Sequence, residues 1–305
     1  MRLQLELTCR AHSAEEFARY ARSWLAQATM ELFPELSRRL PGAAVLRRQT
    51  DDPDAVIGPP GATWAHFDVH REPTRFGGAS TQLYKPRSWQ GLLDTLASVY
   101  PFDVSLIMMP LNEAGQPIDR RASVSAVIRR DRDDPRWVQF MMSVPEELVS
   151  WRRSARVQEE WVSFVGTWAD RLDACYAHVT DDADARGTAL EMATQRRGID
   201  PPTVPRCREV LRGYSWVTIC APELAERLGG VPALTASGAF YQVHKLSGGQ
   251  VLLRATPLLE QYEGASVERV FRVLAPVLLP GWAAKPRAPV GARLMLGVDA
   301  ADYQR

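Results

Sequence analysis

The sequence lacks the marks that most often announce a chemistry. It contains no Gly-x-Ser-x-Gly elbow, no Walker loop and no dinucleotide fingerprint. Esterase-type hydrolases, P-loop NTPases and nicotinamide enzymes are thus left without their usual anchors. Cysteine is scarce and scattered: Cys9, Cys175, Cys207 and Cys220 form no Cys-x-x-Cys pair. That spacing offers neither a zinc knuckle nor a disulfide frame, and predicts reduced thiols in a cytoplasmic protein. No apolar run approaches the roughly 20 residues that cross a bilayer. The opening Met1–Leu7 alternates and is too short and polar for a signal peptide, which again predicts a cytoplasmic protein with no membrane partner. Charge of one sign is also missing. The formal net charge is +1, so bulk electrostatics point to no nucleic acid.

What is present is the composition of an ordinary folded protein. The chain has 305 residues, 46% of them hydrophobic and 24% charged. That is enough for one large domain or two ordinary ones, and it argues against global disorder. Leu3, Leu5 and Leu7 alternate with polar residues and predict a strand. Ser13 followed by Glu16 forms a capping box, with Phe17, Tyr20, Ala21 and Trp24 on one helical face. Residues 63–70 alternate again. Ser88 is expected to cap a helix carrying Leu92, Leu93, Leu96 and Val99. Residues 103–144 read as a three-stranded antiparallel meander, and Val157 to Tyr176 as a long helix of about five turns. Pro201, Pro202 and Pro205 mark a linker at 199–212, between an N-terminal α+β portion (1–198) and a C-terminal unit (213–305). Arg196, Arg197, Arg206, Arg208 and Arg212 cluster there and read as its solvated face.

The C-terminal unit is the most ordered stretch. Residues 214–220 are aromatic and β-branched, which favours a strand. Pro222 fits the first turn of a helix, and Gly229 its end. Phe240–Leu246 and Gln250–Thr256 flank Ser247-Gly248-Gly249 as a hairpin. Val267, Val270, Phe271 and Leu274 then keep helical spacing up to Pro276. The expected fold class is α+β, an antiparallel or mixed sheet with helices packed on one side. A loose echo of strand order between the first 145 residues and the last 90 or so admits two similar α/β halves.

The pattern Gly-Tyr-x-Trp-Val-Thr, then Pro-Glu-Leu-Ala-Glu-Arg-Leu-Gly-Gly, then an apolar hairpin with Gly-Gly resembles the C-terminal half of the type VI immunity family. The matching positions are Trp216, Pro222, Leu224, Leu228, Gly229, Gly230 and Gly249, within 213–280. Members of that family are bacterial proteins that bind and neutralise a toxin made by the same cell. The resemblance therefore implies a cognate toxin as partner, neutralisation by occlusion and no catalytic residues.

Three groups of residues are candidates for function. His66-x-Asp68-x-His70 places three potential ligands on one face of a strand, a geometry suited to zinc or iron or to a proton relay. His244 would join if its strand were adjacent. This supports the alternative of a metal-dependent enzyme; the blander readings are a solvated sheet face or an accessory protein of other role. Asp51, Asp52 and Asp54, and Asp181, Asp182 and Asp184, are the densest acidic turns and are candidates for contact with a basic toxin surface. His178-x-Thr180 is half of the paired His-x-Thr signature of two-histidine phosphoesterases, and no second copy occurs. Trp161, Trp168 and Trp216 are expected in the core. The oligomeric state is open, with a homo-oligomer admitted.

Overall fold

The computed structural model describes residues 1–40, 46–48, 50, 52, 54–72, 80–119, 122–182, 187–195, 203–280 and 299–303. Within them the chain forms two compact units. One is built from residues 1–10 and 150–305, and the other, residues 11–149, is inserted between these segments. The strands are β1 (Arg2–Arg10), β2 (Thr63–His70), β3 (Ser80–Leu83), β4 (Asp103–Pro110), β5 (Val124–Arg130), β6 (Trp137–Pro145), β7 (Tyr176–Thr180), β8 (Val217–Cys220), β9 (Gln242–Lys245) and β10 (Val251–Arg254). The helices are α1 (Ala14–Ser23), α2 (Thr29–Leu32), α3 (Pro34–Arg38), α4 (Pro86–Val99), α5 (Ala155–Arg171), α6 (Ala189–Gln195), α7 (Pro222–Arg227), α8 (Gly230–Ala236) and α9 (Ala265–Leu274). The fold is α+β, as expected, and the strand pairing within each unit is antiparallel.

In the inserted unit the strands lie in the order β3-β2-β4-β5-β6. Alternation decides its two faces. Phe67, Val104, Leu106, Ala126, Ile128 and Phe140 are buried on one. The helices pack there: Trp89 of α4 meets Phe67 edge-on at 5.5 Å, and Trp24 meets Phe140 at 5.6 Å. The predicted cap of α1 is present, Ser13 Oγ accepting from the Glu16 N–H at 3.1 Å. Glu16 in turn accepts from the backbone N–H of His12 at 2.7 Å. The expected cap of α4 is not. Its N-cap is Lys85, and Ser88 lies inside the first turn, because Pro86 already supplies the fixed φ of a helix start.

In the other unit the order is β1-β7-β8-β10-β9. Its sheet is covered on both faces. Gly166 of α5 comes close enough to Leu252 and Leu246 that an added Cβ would touch them. Leu252 shares its sheet face with Ile219, Ala177 and Leu7 through the strand registers. The opposite face carries Glu6, Thr8, Tyr176 and His178 and is met by α6 and the segment 203–212.

The structure departs from the sequence reading at three places in this unit. The long helix stops at Arg171, and Cys175 and Tyr176 lead into β7 although they continue its spacing. Asp173 takes a left-handed φ of 47°, and the Ala174 N–H closes onto the Ala169 carbonyl at 2.9 Å. The expected linker at 199–212 is no boundary over its described part: Thr203, Cys207, Leu211 and Arg212 are buried within the unit. Its other residues, 199–202, lie outside the described residues, as do Arg196 and Arg197. The helix α8 begins at Gly230 with Gly229 as its N-cap, both at positive φ, where the sequence reading ended a helix and placed no new one. The hairpin is as predicted, β9 and β10 joined through Gly249 at φ 92°.

Candidate functional site

The histidine ladder lies on β2 in the inserted unit, on the face opposite the helices. His66 Nε2 lies 3.4 Å from Asp68 Oδ2, and Ser105 Oγ donates to the same oxygen at 3.4 Å. Burial pushes the Asp68 pKa up, but hydrogen bonds from His66, Thr81 and Ser105 and the nearby imidazole outweigh it. The carboxyl therefore stays below its ordinary value of 3.8. Among the described residues, His66 Nδ1 and Asp68 Oδ1 are buried without a hydrogen-bond partner. His70 pairs across the sheet with Asp103, two residues beyond this contact. Among the described residues no three His, Cys, Asp or Glu side chains are placed to hold a metal ion. The expected triad is thus a His–Asp pair, short of the three protein ligands a catalytic zinc uses. His244 lies on β9, whose strand partner is β10, while β2 pairs with β3 and β4.

Above His66, at the β3 edge, a cleft of about 520 Å³ opens. Arg48, Trp64, His66, Thr81, Leu83, Lys85 and Ser88 are among its lining. Trp64 anchors the floor. Its indole N–H donates to the Arg47 carbonyl at 2.8 Å, and its ring packs with Leu46, Ile57, Met109 and Leu111. A second cleft, of about 370 Å³, lies along α4 between Phe67, Val69, Leu92 and Thr95.

The rest of this sheet face alternates polar and apolar groups at half-buried positions: Asp103, Ser105, Ile107, Ser125, Val127 and Arg129. Arg129 Nε bonds Asp103 Oδ2 at 2.8 Å, and Ser125 and Ser143 share a hydroxyl contact at 2.8 Å.

The other unit holds a buried charged cluster that the sequence reading missed. Arg212 is 1% exposed. Its Nε and Nη2 grip both oxygens of Glu191 at 2.7 and 3.0 Å, and its Nη1 reaches Glu6 and Thr8. Thr203 donates to Glu191, and Thr188 Oγ1 donates to the Arg212 carbonyl at 2.9 Å. Beside it, His178 Nδ1 contacts the Tyr176 hydroxyl at 3.0 Å. Burial lowers the His178 pKa, with Glu6 pulling it back up and Arg212 pushing it down. The only hint in sequence was Glu6, a charged side chain at the centre of the apolar alternation of β1, whose other charges, Arg2 and Arg10, stand at its ends. Arg212, read as a solvated linker residue, is the hub of this interior. Arg206 pairs with Glu209 at 3.0 Å and Arg208 with Glu223 at 3.1 Å on the surface.

His178 and Thr180 are both buried, so the half-signature of a phosphoesterase faces no solvent. Asp181 is bound to Arg152 at 2.7 Å with its side chain 2% exposed, and Asp182 is buried. Asp52 and Asp54 are exposed. Asp51 and Asp184 lie outside the described residues. Trp161, Trp168 and Trp216 are core residues as expected, and Trp64, Trp89 and Trp151 are buried too.

The cysteines correct the sequence reading. Cys175 and Cys207 form a disulfide across 32 residues, while Cys9 and Cys220 are buried thiols outside any disulfide. Burial pushes the Cys220 thiol up to about 12, which keeps it protonated and unreactive at neutral pH. The disulfide was illegible because the chain between its cysteines folds back only in three dimensions. No helix among the described residues is long and apolar enough to cross a membrane.

No family model matches the chain, and no curated protein sequence does. Among solved structures it is similar to the Pseudomonas aeruginosa T6SS protein PA0821. The TM-score is 0.52 at 15% identity, over 98% of this chain and 80% of that one. At that identity the likeness speaks for a shared fold.

Proposed function

We propose that this protein is a type VI secretion-associated binding protein that neutralises a cognate toxin by occupying it. The observation that carries this reading is the fold shared with a T6SS protein along nearly the whole chain. The pattern at 213–280 that resembles the immunity family supports it independently. The half-buried sheet face of the inserted unit suits occlusion. It presents hydroxyls, an Arg129–Asp103 pair and the apolar Ile107 and Val127, a mixture like that of non-obligate interfaces. A complex of ordinary strength would cover about 1,600 Å² in total. Asp52 and Asp54, exposed in the same unit, would add local negative charge toward a basic toxin surface. The Cys175–Cys207 bond favours work in an oxidising compartment over the cytoplasm.

The experiment is co-expression with the product of a neighbouring toxin-like gene. The wild type is expected to restore growth and to co-purify. Ile107→Arg combined with Val127→Glu is expected to abolish both while leaving the melting temperature close to wild type, since neither side chain is in the core. A protein that neither protects against nor co-purifies with any such neighbour overturns the reading.

A further inference from the structure

The cleft at the β3 edge has a chemistry that toxin occlusion does not require. Its volume of about 520 Å³ lies in the range of small-molecule sites. Two of its walls are cationic. Arg48 and Lys85 both line it, and among the described residues neither has a carboxylate partner. Asp68, on the same strand face as His66, is already engaged by His66, Thr81 and Ser105. Ser88 adds a hydroxyl, and Trp64 and Leu83 supply an apolar side. Ser88 stands in the first turn of α4, where no acidic residue and no side-chain cap occupies the helix end, so the positive end of that helix adds to the same field. Unpaired cations beside a hydroxyl and an apolar side are complementary to one class of ligand. An anionic head would take the guanidinium fork and the ammonium, and a compact apolar body would lie against Leu83 and the edge of Trp64 that reaches the cleft.

We propose that this cleft binds a small organic anion, a phosphate or carboxylate group carried on a compact apolar or aromatic body. The proposal stands apart from the toxin-binding reading, because its site is one cleft of the inserted unit and its ligand is not a protein.

Calorimetric titration of the full chain tests it with four probes: phenyl phosphate, benzoate, inorganic phosphate and the neutral benzyl alcohol. Phenyl phosphate or benzoate is expected to bind at a one-to-one ratio, with inorganic phosphate weaker and benzyl alcohol weakest. The tighter of the two organic anions identifies the head group. Arg48→Ala combined with Lys85→Ala is expected to weaken binding about tenfold or more; both side chains are exposed, so folding should survive. Thr81→Trp, which keeps both charges but fills the cleft, should weaken it as well. Unfolding curves of both variants would exclude collapse of the fold as the cause. Three results overturn the proposal: no binding of either organic anion at millimolar concentration, equal binding of benzyl alcohol, or unchanged binding in the Arg48/Lys85 double variant.

Discussion

At the scale of single residues, Arg212 does the most to tie the chain together. It bonds Glu6 of β1, 206 residues away in sequence, and Glu191 of α6, 21 residues away. A guanidinium removed from water is tolerable only because two carboxylates and a threonine hydroxyl satisfy it. Arg212→Met would strip Glu6 and Glu191 of the buried guanidinium they share. The expected loss is about 3–5 kcal/mol, read from urea unfolding. His178, next to this cluster, sets an acid limit. Burial lowers its folded pKa below the ordinary 6.5, so below that pH the unfolded chain binds a proton that the folded one does not. Stability from this group is therefore whole above pH 6.5 and falls as pH drops through 6.5 toward the lower folded value. His178→Gln should flatten that slope between pH 6.5 and 5. An unchanged slope would assign the acid sensitivity to other groups.

At the scale of elements, α5 tests how its unit is packed. Trp168 is fully buried and Arg171 is exposed, its guanidinium 4.9 Å from the Trp168 ring. Trp168→Ala is expected to cost about 3–5 kcal/mol through the cavity it opens. Arg171→Ala should cost no more than about 1 kcal/mol, the worth of an exposed cation–π contact. Equal losses would mean that the helix is rotated. The cap of α1 gives a smaller effect of the same kind. Ser13→Ala should lower stability by about 1 kcal/mol, since the Glu16 N–H would lose its acceptor.

For the whole molecule, the disulfide joins the start of β7 to the segment 203–211, and both cysteines are buried. Thiol titration is expected to find two reactive groups, Cys9 and Cys220, and only after denaturation without reductant. Reduction should lower unfolding stability by about 2–4 kcal/mol. Four titratable thiols in protein purified from an oxidising compartment would remove the bond, and with it the argument about location.

Local order was legible in the sequence wherever a few neighbouring residues decide it. The alternation of β1, the Ser13 cap, the Gly249 hairpin and the meander at 103–144 each depend on side chains within one turn or one strand, and period alone places them. The ladder of His66 and Asp68 was legible for the same reason, as residues two apart on a strand share a face. The partnership between Glu6, Glu191 and Arg212, the Cys175–Cys207 bond and the cleft that gathers Arg48, Lys85 and Ser88 were not legible. Nor were the end of α5 at Arg171, which periodicity ran past, and the burial of Thr203, Cys207, Leu211 and Arg212, in a segment that read as solvated. Those features depend on which strands lie side by side and on what a buried charge must find to stay buried. Pairing across tens or hundreds of residues leaves no periodic trace in the chain; it is fixed only when the sheets form and burial makes an unpaired arginine or carboxylate too costly to keep.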